Sequence, residues 1–294
     1  MRILVTGRKG QVARSLSEMA DPGVDIVFAG RPEFDLEAPD TVMSAIRSAR
    51  PDVVVSTAAY TAVDQAEDEP ERAFAVNAAG AGAVAAAATE VGAAIIHLST
   101  DYVFSGDKLG DYGETDGTAP QSVYGRSKLA GEHAVAVANP RHVILRTAWV
   151  YSPFGRNFVK TMLGLASKHD SIRVVADQWG NPTSSADITD GILRIAHALS
   201  AQEETSRHGI FHLAGQGSTN WSGLARQVFA VSRACGGPFA EVEDIGTQDF
   251  PTRARRPANS RLSCVRLEQV FGWRPPDWQG SCRKVVERLV GAAG

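Results

Sequence analysis

Cysteine is scarce in this chain of 294 residues: Cys235, Cys264 and Cys282 make an odd number with no close-spaced pair. That argues against a disulfide framework and against a cysteine zinc site, and it points to a reducing, cytoplasmic setting. An excess of one charge is also missing. The 30 Lys and Arg against 33 Asp and Glu leave a net charge of −3, which offers no basic field for nucleic acid. No run of about 18 apolar residues occurs, so no membrane span is expected. The chain opens on a strand-like segment, so no secretory signal is expected either. His97 reads as a packed strand residue, and His133, His142, His169, His197, His208 and His212 show no metal spacing. No metal is expected, and no internal repeat is visible.

What is present is an alternation of short apolar runs and helical stretches. Strands are predicted at Ile3–Val5, Val24–Ala29, Val53–Ser56, Ile95–Ser99 and Val143–Arg146, with helical stretches from Val12 (running to about Ala20), Thr41, Glu71 and Val123. Such alternation implies an α/β fold: a doubly wound parallel sheet covered on both faces. Beyond residue 150 the pattern loosens. Helices are expected at Asn157–Ser167, Asp187–Leu199 and Trp221–Ala234, a strand at Gly209–Ala214, and a surface connection at Gln202–His208. The expected organisation is a nucleotide-binding Rossmann domain over 1–150 and a smaller α/β substrate-binding lobe over 151–294, some of whose segments return to the first domain.

The first strand runs into Thr6-Gly7-Arg8-Lys9-Gly10-Gln11-Val12-Ala13. Gly7 and Gly10 allow a tight turn, and Ala13 permits close helix–strand packing. The following helix points its free N–H groups and dipole at whatever sits over the glycines, which suits a pyrophosphate. The spacing is G-x-x-G-x-x-A, not the G-x-G-x-x-G of the commoner dinucleotide fingerprint. Strand two ends Ala29-Gly30-Arg31, with no carboxylate to take a ribose 2′-hydroxyl. Arg31, with Arg8 and Lys9 nearby, would pair with a phosphate, so NADPH is the expected cofactor and NADH a second candidate. Ordinary surface cations are the alternative reading of these three residues.

Further on, Tyr124-Gly125-Arg126-Ser127-Lys128 follows 24 residues behind Thr100 of Ser99-Thr100-Asp101. Tyr and Lys four apart share a helix face. An ammonium beside a phenol favours the phenolate, so Lys128 is expected to lower the Tyr124 pKa; moving it from ~10 to near neutrality takes roughly 4 kcal/mol. A phenol tuned that way exchanges a proton with an alcohol or ketone oxygen. Taken alone, the pair also fits an amphipathic surface helix.

The glycine turn, Thr100 and Tyr124-x-x-x-Lys128 together resemble the extended short-chain dehydrogenase/reductase superfamily. Ala58-Ala59-Tyr60-Thr61-Ala62-Val63-Asp64, His97 to Phe104, Arg146-Thr147-Ala148-Trp149-Val150-Tyr151, Asn157 to Leu163 and Arg255-Arg256-Pro257-Ala258-Asn259-Ser260 narrow the likeness to the dTDP-4-dehydrorhamnose reductase family. That resemblance implies hydride transfer from a nicotinamide to the 4-keto carbon of a sugar nucleotide, the last step of activated rhamnose synthesis. Tyr124 would protonate the developing alkoxide. Lys128 would lower its pKa and hold the nicotinamide ribose, and Thr100 would hydrogen-bond the keto oxygen.

For the cofactor, the resemblance implies Gly7, Gly10, Gln11 and Val12 at the pyrophosphate, and Asp35 and Leu36 at the adenine end. Ala58, Ala59, Tyr60, Thr61 and Ser99 would line its path, with Tyr60 standing where the family has His. For the substrate it implies Asp101 and Trp149. The diphosphate needs cations, and Arg253, Arg255 and Arg256 are the candidates, with Asn259 close by; a solvated basic loop is the alternative. Trp149 either stacks on a sugar or closes the core. The glycine-rich stretch 105–121 is either a lid or a surface excursion. Some relatives hold a divalent metal between subunits through carboxylates, but the first helix here offers Ser15 and only then Glu18. The sequence does not choose between a monomer and a homodimer. Another sugar-nucleotide reductase, a 4-epimerase, or a non-catalytic regulatory subunit is the rival reading.

Overall fold

The computed structural model describes residues 1–19, 23–201 and 205–292. Ala20, where the first helix was expected to end, and 202–204 of the expected surface connection lie outside them. The centre is a six-stranded sheet with every pairing parallel. Its strands are β1 (Arg2–Thr6), β2 (Asp25–Ala29), β3 (Val53–Ser56), β4 (Ala94–Thr100), β5 (His142–Thr147) and an edge strand, Gly209–His212. In space the order runs edge strand, β5, β4, β3, β1, β2. The chain therefore winds one way from β1 to β2 and the other way from β3 to β5. This reversal opens a crevice at the carboxyl ends of β1 and β3, where ligands of such sheets sit.

Side-chain alternation explains why both faces are covered. Ile3, Val5, Val53, Val55, Ile96, Val143 and Leu145 point to one face, where helix α1 (Gln11–Glu18) and the helix Ser185–Ala201 pack through Val12, Leu16, Ile188, Ile192 and Ile195. Leu4, Val54, Ile95 and Ile144 point to the other, against Val42 and Ile46 of α2 (Pro39–Ala49) and the alanines of the helix Ala81–Glu90. Both the edge strand and the helix Ser185–Ala201 come from the second half of the chain. The remaining second-half elements form their own core around Tyr151, Val159, Leu224, Val228, Trp278 and Val286.

The helical stretch expected from Glu71 is interrupted. A short helix, Pro70–Phe74, passes into a π-helical turn, Ala75–Gly80, before Ala81–Glu90 continues. Such insertions are frequent at functional sites. Ser122 caps the long helix Val123–Ala138, accepting from Gly125 N at 3.1 Å. Its glycines let it lie flat on its neighbours: a Cβ at Gly125 would strike the Tyr102 carbonyl and one at Gly131 the Asn77 carbonyl.

Candidate active site

A cavity of about 520 Å³ occupies the crevice at the carboxyl ends of β1, β2 and β3. Gly7, Arg8, Lys9, Gly10, Arg31, Asp35, Leu36, Ala58, Ala59, Tyr60 and Thr61 all line it, so most of the expected cofactor residues come together there. Gly7 adopts φ +93°, a conformation open mainly to glycine. Thr6 fixes the facing segment: its Oγ1 accepts from Thr57 N at 3.0 Å and Ala58 N at 3.1 Å. At α1 the N-cap Gly10 has no side chain to satisfy the first-turn N–H groups, which stay available to an anion. Val12 contributes only backbone, since its side chain is in the core. Gln11 turns its side chain aside and accepts from Ser152 Oγ (2.6 Å) and Asn157 Nδ2 (3.0 Å), tying the turn to the second half of the chain.

Arg31 is not the free cation expected. Its guanidinium is gripped by Asp35, Nε to Oδ2 at 2.8 Å, and by Glu37 at 2.5 Å, and Glu37 also meets Arg72 at 3.3 Å. Hydrogen bonding to Arg31 holds the Asp35 carboxyl below the usual carboxylate range. Arg8 is paired with Glu33 at 3.1 Å.

The residues expected to transfer the proton lie at the end of β4 and on the helix Val123–Ala138. Tyr124 packs edge-on to Tyr102, ring centroids 5.5 Å apart. The expected direction of its pKa shift is reversed. Burial pushes the phenol up to about 12, and the Thr100 hydroxyl beside it offsets only part of that rise. Lys128 does not oppose it because its ammonium bonds elsewhere, to Leu98 O at 2.6 Å and His97 Nε2 at 3.2 Å. Lys128 is itself buried, which brings its pKa down to about 8. Thr100 has two acceptors for its one proton, the Tyr124 oxygen and Asp101 Oδ1 at 2.9 Å, and its own oxygen accepts from Tyr102 N at 3.2 Å. Asp101 is buried, and desolvation raises its carboxyl to about 6, a rise that the Ser260 and Thr100 hydroxyls partly offset; no hydrogen bond to its Oδ2 meets the usual distance and angle among the described residues.

Several residues expected to line the site have other partners. Ser99 faces the helix, where it donates to Glu132 Oε1 at 2.5 Å, because alternation along β4 turns it the same way as His97. Arg256 forks onto Asp64 at 2.8 and 3.0 Å, and Arg253 contacts Asp68, so these cations latch their loop to the segment after β3. Arg255 reaches Gln121 Oε1 at 3.4 Å and has no carboxylate partner among the described residues. Asn259 uses its amide on Lys108 O (2.6 Å) and Gly110 O (2.8 Å), while its oxygen takes Arg261 N and Nε. That pins the glycine-rich stretch 105–121, which Tyr112 and Leu262 also bridge. Trp149, at φ +48°, stacks on Trp221 with centroids 3.5 Å apart and donates to Ser260 Oγ at 3.1 Å, which closes the junction between the two halves. Glu18 is paired with Arg288 at 2.6 Å. Among the described residues no cluster of His, Cys, Asp and Glu could hold a metal.

Sequence reasoning missed three supports. Asn77, in the π-helical turn, accepts from Tyr60 N (2.8 Å) and donates to Tyr60 O and Ser127 Oγ (both 3.0 Å), joining the cofactor-side segment to the Tyr124 helix. Glu132 and Arg146 form a wholly buried two-pronged ion pair, at 2.9 and 2.7 Å, behind Lys128. The π-turn leaves no sequence signature. A glutamate four residues beyond Lys128, on the same helix face, was a visible signal for the pair.

A known family carries this arrangement. The model of the RmlD substrate binding domain matches residues 1–290. The chain belongs to this family. Curated members include the dTDP-4-dehydrorhamnose reductase of Sinorhizobium fredii, 53% identical over 99% of this chain and 98% of that one. The crystal structure of a dTDP-4-dehydrorhamnose reductase from Clostridium acetobutylicum superposes with a TM-score of 0.91 at 35% identity, covering 98% of this chain and 99% of that one. Another, from Bacillus anthracis in complex with NADP, gives 0.89 at 34% identity over 97% and 98%. The family match spans both halves of the chain, and no described helix is long and apolar enough to cross a membrane.

Proposed function

We propose that this protein reduces the 4-keto group of dTDP-4-dehydro-L-rhamnose to dTDP-L-rhamnose with NADPH. The observation that carries this reading is the end-to-end likeness to reductases of that name, supported by the presence of Thr100, Tyr124 and Lys128 in the sequence. The crevice suits a dinucleotide: its cavity is long enough to pass from the α1 N-terminus to Asp35 and Leu36, and the first-turn N–H groups are uncapped. When bound, the nicotinamide supplies the hydride. The rest falls to the side chains. Tyr124 holds its proton firmly at neutral pH, which is the form a reduction needs, and gives it to the oxygen at C4. Lys128 presents a fixed positive charge and one unspent N–H. Asp101 orients Thr100 through Oδ1 and leaves Oδ2 to accept a substrate hydroxyl.

Arg31 reads the cofactor's 2′-phosphate by exchanging its carboxylate partners, and Arg255, with Arg256 released from Asp64, meets the substrate diphosphate. A cytoplasmic setting and a two-lobed division near residue 150 complete the proposal. The test is loss of NADPH absorbance with the purified keto sugar. One NADPH consumed per rhamnoside formed supports the reading, whereas sugar turned over without net NADPH loss would identify an epimerase.

The two shifted groups set the expected pH dependence. Lys128 is charged below about 8, and Asp101 is ionised above about 6. kcat/KM for the free enzyme is therefore expected to fall below about 6 and above about 8. Asp101→Asn removes the acid limb and leaves the alkaline one. A flat profile from 5 to 9 in the native protein contradicts these assignments.

A further inference from the structure

Behind Lys128 lies a row of buried polar groups that the proposed reaction does not itself use. Ser56, at the end of β3, and His97, in β4, face each other across the sheet, with Ser56 Oγ 3.1 Å from His97 Nδ1. On the other side of the ring, Nε2 is 3.2 Å from Lys128 Nζ. Ser56, His97 and Lys128 are each at most 2% exposed. Donor chemistry fixes the direction of every bond in the row. An ammonium has no lone pair, so Nε2 must accept. A neutral imidazole then carries its hydrogen on Nδ1 and donates it to Ser56. A charged ring would point an N–H at an ammonium, which the contact forbids.

Lys128 has three N–H bonds. One goes to Leu98 O and one to His97, which leaves the third unspent among the described residues. We propose that His97 is a positioning residue for the reductase: its Nε2 lone pair anchors the Lys128 ammonium so that the remaining N–H is aimed at the cofactor crevice. Resting on the reductase reading, this explains a histidine set between the aliphatic Ile96 and Leu98 of β4. Burial lowers Lys128 and drives His97 well below the ordinary imidazole range, so the pair holds one positive charge at neutral pH, on the lysine. The other charged and titratable groups near Lys128 are Glu132 on its own helix, tied to Arg146 of β5, and Tyr124 one turn back, which Asp101 faces in turn. Of these, Glu132 supports the ammonium charge but makes no hydrogen bond to it, so Leu98 O and the His97 lone pair are its two acceptors among the described residues.

The test has two arms. In the first, ¹⁵N-histidine NMR of the native protein is expected to show His97 as the neutral Nδ1–H tautomer from pH 5 to 7, where Lys128 is charged. An Nε2–H tautomer, or a titration near 6.5, overturns the proposal, and this arm needs neither substrate nor turnover. In the second, His97→Leu removes the acceptor, so the alkaline limb of kcat/KM is expected to move down by about one pH unit and NADP⁺ binding to weaken several-fold at pH 8. His97→Gln offers an amide oxygen in the place of Nε2 and is expected to restore both. If the Leu variant does not fold, the Gln variant and the tautomer still decide. A Leu variant that folds and keeps the native limb and affinity refutes the proposal. Absence of any keto-sugar reduction by the native protein counts against the reductase reading and leaves the tautomer result standing.

Discussion

Tyr124→Phe is expected to lose about 10²–10⁴-fold in kcat while leaving NADPH affinity and thermal stability near native values. The variant keeps the ring, so the edge-on contact with Tyr102 survives. It removes only the oxygen that stands beside Thr100. What is lost is the proton donor to the oxygen at C4, a group whose contribution appears as negative charge develops there. Because the loss sits in the chemical step, KM for the keto sugar should change far less than kcat. The phenol is held near 12, so its protonation state is not what limits the native enzyme below pH 9. A Phe variant within threefold of the native kcat would remove Tyr124 as the acid. Loss of stability alongside activity would mean that the hydroxyl is structural.

The second large effect concerns stability. Arg146→Met leaves Glu132 charged in a site where both side chains are at most 3% exposed. The carboxylate then keeps Ser99 Oγ as a hydrogen-bond donor but loses both guanidinium bonds. Breaking one side of a buried pair typically costs about 3–5 kcal/mol, chiefly because a desolvated charge is left without a partner. Replacing both, Arg146→Met with Glu132→Leu, should recover part of that loss: the two apolar groups need no hydrogen bonds, while the buried Ser99 Oγ loses its acceptor. Urea unfolding of the single and double variants measures the difference. A single variant within about 1 kcal/mol of native, well under the 3–5 kcal/mol typical of such breaks, would show that the pair is not isolated from water.

The two halves of the site differ in how readable they were from residues. The glycine turn at Gly7 and Gly10, the helix behind it, and the four-residue step from Tyr124 to Lys128 are local features. Their geometry follows from neighbouring residues and from the periods of strand and helix, so composition and spacing were enough to place them. The same holds for the parallel sheet, where alternating apolar runs require cover on both faces, and for the edge strand, whose apolar run from Gly209 was legible although its place beside β5 was not.

Charge partners were not readable in this way. Arg31, Arg253 and Arg256 look like free cations in the chain, yet each meets a carboxylate, and those of Arg253 and Arg256 lie far away in sequence, at Asp68 and Asp64. Asn259 looks like a substrate ligand and is spent on the carbonyls of a loop some 150 residues earlier. The direction of the Tyr124 shift turned on two facts that no spacing contains: how deeply the phenol is buried, and that β4 offers Lys128 a carbonyl and an imidazole. Backbone conformation and the alternation of faces are properties of a few adjacent residues. Desolvation and hydrogen-bond partnership depend on which distant segments are brought together, and only the folded chain decides that.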